Sequence, residues 1–119
     1  MDQKVEAPII KPEYVTYIKP EDLFSLQGKA QMGEFNFIDV RKPEEFAAFH
    51  VEGAALIPVD DLEKNIYRLD KDKMTLIYCK AGKRCMRGAE ILHHKGFDNI
   101  LVLEGGMESY HKFLTTIKK

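Results

Sequence analysis

Short apolar runs alternate with amphipathic stretches along most of this chain. The apolar runs contain β-branched, aromatic and aliphatic residues and have the length of strands. They predict five strands, at residues 14–18, 35–40, 54–59, 74–78 and 100–103. The alternating pattern of 14–18 is typical of an edge strand, whereas the continuous apolar character of 74–78 is typical of a strand buried on both faces.

Helical patterns lie between these runs. Pro20 begins the first predicted helix, which ends between Gly28 and Gly33. Further helices are predicted at 43–49, at 60–67 with Leu62 and Ile66 facing inward, at 83–95, and from Gly105-Gly106 through Ile117. Gly96 follows the fourth helix at the position where a glycine often ends one.

Strands that alternate with helices predict an α/β fold, with a mostly parallel sheet of about five strands covered by helices on both faces. Residues 1–13 contain Pro8 and Pro12 and show little periodicity, so they are predicted to form an N-terminal extension before one domain at 14–119. Ligands of such sheets bind beyond the carboxyl ends of the strands, where Asp39 and Cys79 both fall.

Composition narrows the class of protein. A chain of 119 residues supports one core, and a net charge of −1 gives no reason to expect nucleic acid or an anionic membrane as partner. No signal peptide is evident, and no apolar stretch approaches the ~18 residues needed to span a bilayer. Two cysteines without metal-ligand spacing predict neither a disulfide scaffold nor a metal site. We expect a cytoplasmic protein.

The strongest chemical signal is the segment around Cys79. The cysteine ends a buried strand, and a short basic loop, Lys80-Ala81-Gly82-Lys83-Arg84, leads from it into a helix. Backbone amides and the positive end of a helix favour a thiolate, which is the nucleophilic form of cysteine. Lowering a thiol pKa by about two units requires roughly 3 kcal/mol of preference for the anion. The loop therefore predicts a reactive thiolate at Cys79, with cations that attract an anionic substrate.

Three motifs together resemble the rhodanese family of sulfurtransferases. The first comprises Asp39-Val40-Arg41, Glu45-Phe46, 50–54 and Ile57-Pro58; the second is the loop 78–84; the third comprises Gly96-Phe97, Asn99-Ile100 and 103–107. The match covers roughly residues 20–118 in the family's order. The resemblance implies a single, doubly wound domain of the thiosulfate sulfurtransferase type, without a cofactor.

The resemblance also implies a double-displacement mechanism. Cys79 takes the outer sulfur of thiosulfate or of a persulfide donor, carries it as a persulfide, and passes it to cyanide or a thiol. The expected substrate-binding residues are Lys80, Ala81, Gly82, Lys83, Arg84, Asp39 and Arg41.

Other functional classes remain open. The domain would serve as a sulfur relay or binding module if its donor is the persulfide of a partner protein. A phosphatase is less favoured, because four residues lie between Cys79 and Arg84 where related dual-specificity phosphatases have five. A non-catalytic interaction domain is disfavoured because inactive members typically lack the cysteine.

Several residues have two interpretations. Cys85 is either a small residue packed at the start of a helix or a resolving thiol that closes a disulfide with oxidised or persulfidated Cys79. Asp39 and Arg41 form either a rim charge pair that orients the loop or substrate, or a structural salt bridge in which Asp39 could instead cap a turn. Glu45 and His50 are expected to be scaffold groups.

Overall fold

Five strands form one sheet in this computed structural model, which describes residues 12–117. They are β1 (Val15–Ile18), β2 (Asn36–Asp39), β3 (Ala55–Leu56), β4 (Thr75–Tyr78) and β5 (Ile100–Leu103). All neighbours are parallel, in the spatial order β1-β5-β4-β2-β3. The prediction of a parallel five-stranded α/β sheet is confirmed, and β1 is an edge strand as its alternation predicted.

Within residues 12–117, three α-helices connect strands and a fourth follows β5. They are α1 (Pro20–Gln31), α2 (Pro43–Ala48), α3 (Lys83–His94) and α4 (Gly106–Ile117). Helix α3 packs on β4 and β5 across one face of the sheet, and α1 packs against α4 across the other. The sheet is therefore covered on both faces, as predicted.

The alternation of side chains along β4 decides where the candidate nucleophile lies. Leu76 and Tyr78 belong to the apolar cluster on the α1 and α4 face, whereas Ile77 belongs to the cluster on the α3 face. Cys79 continues this period of two and joins the cluster that contains α3. The strand thus directs the Cys79 side chain toward the first turn of α3.

One predicted helix is wrong. Residues 60–67 were expected to form an α-helix, but the chain there forms two 3-10 turns, Val59–Asp61 and Glu63–Arg68. The Asn65 amide N–H donates to the carbonyl of Leu62, three residues back, while the Asn65 side chain donates to the carbonyl of Asp61 at 2.8 Å. The side chain therefore takes the acceptor that an α-helix would use, and the tighter turn results.

Other boundaries shift without changing the topology. The strand predicted at 54–59 is limited to Ala55–Leu56, although Ile57 and Val59 still donate backbone hydrogen bonds to the chain that ends β2. Most of the predicted extension, residues 1–11, lies outside the described residues. Within residues 12–117 no helix combines the length and apolar character that crossing a bilayer requires.

Candidate active site

Cys79 follows the last residue of β4, and α3 begins four residues later at Lys83. Its side chain is buried, with 1% of the residue exposed, and its thiol is free. Lys80, Ala81 and Lys83 are exposed, whereas Gly82 and Arg84 are partly buried. The loop therefore covers the sulfur and presents two lysines to solvent on its outer side.

Hydrogen-bond donors converge on the Cys79 sulfur. The amide of Gly82 donates to Sγ at 3.0 Å, and the amide of Cys85 donates at 3.3 Å. The backbone of Gly82 has φ +108°, a conformation that glycine adopts at little cost and that brings its amide back toward the sulfur. The loop and the first turn of α3 thus form an anion-binding nest around Sγ.

These contacts favour the thiolate. Hydrogen bonding by the Cys85 side chain and by the amides of Cys85, Gly82 and Arg84 lowers the pKa of Cys79 to about 6, although burial opposes the shift. Cys79 is therefore largely ionised at neutral pH. Because folding lowers this pKa, the ionised sulfur stabilises the fold above the unfolded pKa near 8.5. That contribution is lost as the pH falls through about 6.

Cys85 is the residue whose role the sequence did not predict. Its hydrogen bond to Cys79 and its burial raise the pKa of Cys85, so it remains a protonated donor beside the anion. The Cys85 Sγ also lies 3.1 Å from the carbonyl oxygen of Gly82. The one feature of the sequence that could have indicated this role is that Cys85, a small polar residue, directly follows Arg84 at the start of the helix.

The amino end of α4 holds the backbone of the loop in place. The amides of Met107 and Glu108 donate to the carbonyls of Cys79 and Lys80, at 2.8 and 3.1 Å. A Cβ atom at Gly106 would lie 2.6 Å from the Cys79 oxygen and 2.5 Å from the Lys80 oxygen, so a side chain cannot fit there without a shift of backbone. The amino end of α4 therefore holds the first two carbonyls of the loop.

Arg84 is held by an ion pair. Its two terminal nitrogens bind the two carboxylate oxygens of Glu45 at 2.9 and 3.1 Å. This fork-like contact, together with a backbone hydrogen bond from Lys42, holds the pKa of Glu45 at about 2. Glu45 was expected to be a scaffold group, and its contacts tie α2 to the first turn of α3. The charge of Arg84 is therefore largely compensated.

Asp39 and Arg41 form a buried ion pair under the loop. Arg41 donates from its backbone, Nε and Nη2 to the Asp39 carboxylate, and from Nη2 to the carbonyl of Phe49 at 2.6 Å. Asp39 is fully buried and Arg41 is 5% exposed. The Arg41 guanidinium also lies 5.5 Å from the ring of Tyr78, the residue before Cys79. These contacts are typical of a structural salt bridge. Arg41 also lines a cleft beside Lys80.

Two clefts flank the loop. One, of about 440 Å³, is mainly apolar and lies beside Ala81, Gly82 and Lys83; its other walls are Tyr17, Met86, Val102, Leu103, Glu104 and Gly105. The second, of about 480 Å³, lies on the side of Lys80; its other walls are Arg41, Glu45, Ala48, Phe49, Met107, Glu108 and His111. The two loop lysines thus line opposite clefts, and Asp39 lines neither.

The geometry matches a known family. The model of the rhodanese-like domain matches residues 20–113. This chain belongs to the rhodanese-like domain family. Among solved structures, a Bacillus anthracis CoADR-RHD has a TM-score of 0.75 and 26% identity over 87% of this chain and 18% of its own. A rhodanese-like domain protein from Staphylococcus aureus has a TM-score of 0.68 and 28% identity over 79% of this chain and 89% of its own.

Curated relatives of this rhodanese-like domain are longer proteins. The tRNA uridine(34) hydroxylase of Sodalis glossinidius is 30% identical over 89% of this chain, which spans 31% of that relative. The corresponding protein of Erwinia tasmaniensis is 31% identical over 62% of this chain and 23% of its own length. The resemblance described from the motifs is therefore confirmed at the level of the family.

The close approach of Gly106 to the loop yields one prediction. Gly106→Ala should displace the Cys79 and Lys80 carbonyls and lower the rate at which iodoacetamide alkylates Cys79 at neutral pH by roughly tenfold or more, since an amide nest misaligned by a fraction of an ångström loses thiolate stabilisation. Gly28→Ala is the matched control, because a Cβ there meets nothing within 4 Å. Equal alkylation rates in the two variants would show that α4 does not position the loop.

The buried ion pair yields a prediction about stability. Asp39→Asn leaves the Arg41 charge buried without its counter-ion and should lower the free energy of unfolding by roughly 3–5 kcal/mol, measured by denaturant titration. Asp60→Asn removes an exposed ion pair with Arg87, where the side chains are 79% and 61% exposed. That control should change stability by less than about 1 kcal/mol. A loss for Asp39→Asn no larger than for the control contradicts the structural role.

Proposed function

We propose that this domain is a sulfurtransferase that carries sulfane sulfur on Cys79. The observation that supports the proposal most strongly is the convergence of amide and thiol donors on the Cys79 sulfur. A sulfur held as an anion at neutral pH is a nucleophile, and the same donors stabilise the negative charge of a persulfide. Membership of the rhodanese-like family agrees with this chemistry.

The reaction proceeds in two displacements. The Cys79 thiolate attacks the outer sulfur of thiosulfate, the S–S bond of the donor breaks, and sulfite leaves with the electron pair. A thiolate or cyanide then attacks the terminal sulfur of the persulfide and regenerates the Cys79 thiolate. Because only 1% of Cys79 is exposed, the acceptor in the second displacement meets the terminal sulfur of the persulfide rather than the buried Sγ.

The charges around the loop suit a small anionic donor. Lys80 and Lys83 are exposed and line different clefts beside the loop, whereas the Arg84 guanidinium is bound by Glu45. The lysines would attract thiosulfate or a persulfide anion, and Arg84 would act mainly by orienting the start of α3. The engagement of Arg84 argues against a phosphatase, which would need that guanidinium for its phosphate group.

A persulfide relay remains the main variant of this proposal. Its donor would be a protein persulfide, and the cleft of about 480 Å³ beside Lys80 would receive part of that partner. The distinction concerns the donor alone, since Cys79 carries the sulfur in both cases.

A second candidate comes from the curated relatives, which are named tRNA uridine(34) hydroxylases. In that case the domain would contribute to modification of a tRNA uridine, as part of a protein longer than the matched region. Hydroxylated uridine in nucleoside digests of tRNA incubated with the protein would favour this candidate, whereas unmodified tRNA together with sulfur transfer would favour the first.

Thiosulfate:cyanide kinetics test the sulfurtransferase proposal. Wild-type protein should form thiocyanate with turnover, and Cys79→Ser should lose at least about 1000-fold in kcat/KM because a hydroxyl is a far weaker nucleophile at neutral pH. Mass spectrometry should show one added sulfur on Cys79 after the Cys85→Ser variant, which contains no second cysteine, is exposed to thiosulfate. Weak thiosulfate turnover with fast transfer from a protein persulfide would identify a relay. Sulfur transfer that persists in Cys79→Ser would contradict both.

A further inference from the structure

A second cysteine lies in direct contact with the candidate nucleophile. Cys85 is fully buried in the first turn of α3, and its amide donates to the Cys79 sulfur at 3.3 Å. Its thiol donates to the carbonyl oxygen of Gly82 at 3.1 Å, the amide of Gly82 donates to the Cys79 sulfur, and both cysteines are free thiols. The two buried cysteines therefore lie side by side in the apolar cluster under α3.

In the resting domain Cys85 is a donor and not a nucleophile. Two adjacent thiolates in a buried site would repel each other, so one proton is retained, and it resides on Cys85. The charge beside Cys85 changes when Cys79 takes up a sulfur atom and becomes a persulfide. The negative charge moves to the terminal sulfur, about 2 Å farther along the new S–S bond. The Cys79 Sγ becomes a neutral, electrophilic sulfur that faces a thiol.

We propose that Cys85 attacks the Cys79 persulfide at Sγ and releases its terminal sulfur as hydrosulfide. A Cys79–Cys85 disulfide forms and the S–S bond of the persulfide breaks. The proton of the Cys85 thiol passes to the departing sulfur, which leaves as HS⁻. The terminal sulfur is reduced to sulfide while the two cysteines are oxidised, so no external oxidant is required.

This activity rests on the proposed function, because it begins from the persulfide. It makes the domain a sulfide-releasing enzyme that consumes a reductant, since an external thiol or dithiol must reduce the disulfide before another turnover. The intramolecular thiol competes well with external acceptors: a neighbouring group has an effective molarity of about 10⁵ M or more when it is well oriented. The hydrogen bond to the Gly82 carbonyl, at 3.1 Å, helps to fix that orientation.

The experiment is a single turnover without reductant. Fully reduced, desalted protein is loaded with thiosulfate, then free thiols are alkylated at acidic pH, and released sulfide is measured. Trypsin places the two cysteines on separate peptides, 74–80 and 85–87, because Lys80, Lys83 and Arg84 lie between them. Wild-type protein should release one sulfide per molecule and yield the two peptides joined by a disulfide. Added dithiothreitol should make the release catalytic.

Two variants separate the roles of Cys85. Cys85→Ser keeps a hydroxyl donor and Cys85→Ala removes the donor, and neither contains a second thiol. Both should accumulate a stable Cys79 persulfide and release sulfide at least about 100-fold more slowly than wild type. Cyanide added to loaded Cys85→Ser should release its persulfide sulfur as thiocyanate, and the amount of thiocyanate measures how many molecules carried the sulfur.

Each contrary outcome has a distinct meaning. A wild-type persulfide as long-lived as that of Cys85→Ser, with no linked peptide, overturns the inference but leaves the sulfurtransferase proposal standing. Equal sulfide release from wild type and Cys85→Ala also overturns it. Absence of a sulfur adduct in wild type and both Cys85 variants contradicts the sulfurtransferase proposal itself, and the inference with it.

Discussion

The negative charge on one buried sulfur is the constraint on which the rest of the site depends. A thiolate with 1% of its residue exposed is costly unless hydrogen-bond donors replace the water it has lost. Two backbone amides and the thiol of Cys85 supply those donors. Burial opposes ionisation while the hydrogen bonds favour it, and the hydrogen bonds prevail. The same burial strengthens each of these contacts, because no solvent competes with them.

Elements distant in sequence keep those donors in place. Helix α4 binds the carbonyls of Cys79 and Lys80, Glu45 in α2 holds Arg84, and the pair of Asp39 and Arg41 lies against Tyr78 under the loop. Each of these contacts holds either a stretch of backbone or a guanidinium group. None of them donates a hydrogen bond to the Cys79 sulfur. The nest is thus a local structure of seven residues, 79–85, whose geometry is determined by three other parts of the chain.

Local pattern was sufficient to predict the sheet and the position of Cys79 between a buried strand and the start of a helix. The apolar run 74–78 predicted a buried strand, and the basic glycine loop predicted a helix start facing Cys79. The 3-10 turns at 59–68 were missed because the side chain of Asn65, rather than hydrophobic spacing, decides them. Glu45 and Arg84 are 39 positions apart in the chain. Met107 of α4 binds Cys79 across 28 positions. Contacts between such distant residues leave no local pattern in the sequence.

The most direct test of the account is the pH titration of the Cys79 thiolate, followed by its ultraviolet absorbance as the difference between wild type and Cys79→Ser. The account predicts an apparent pKa of about 6, the Cys85 thiol and the loop amides being its cause. Cys85→Ala should raise that pKa, and Cys85→Ser should raise it less because the hydroxyl still donates. A pKa at or above 8.5, the ordinary value for cysteine, would contradict the claim that this loop holds an anion.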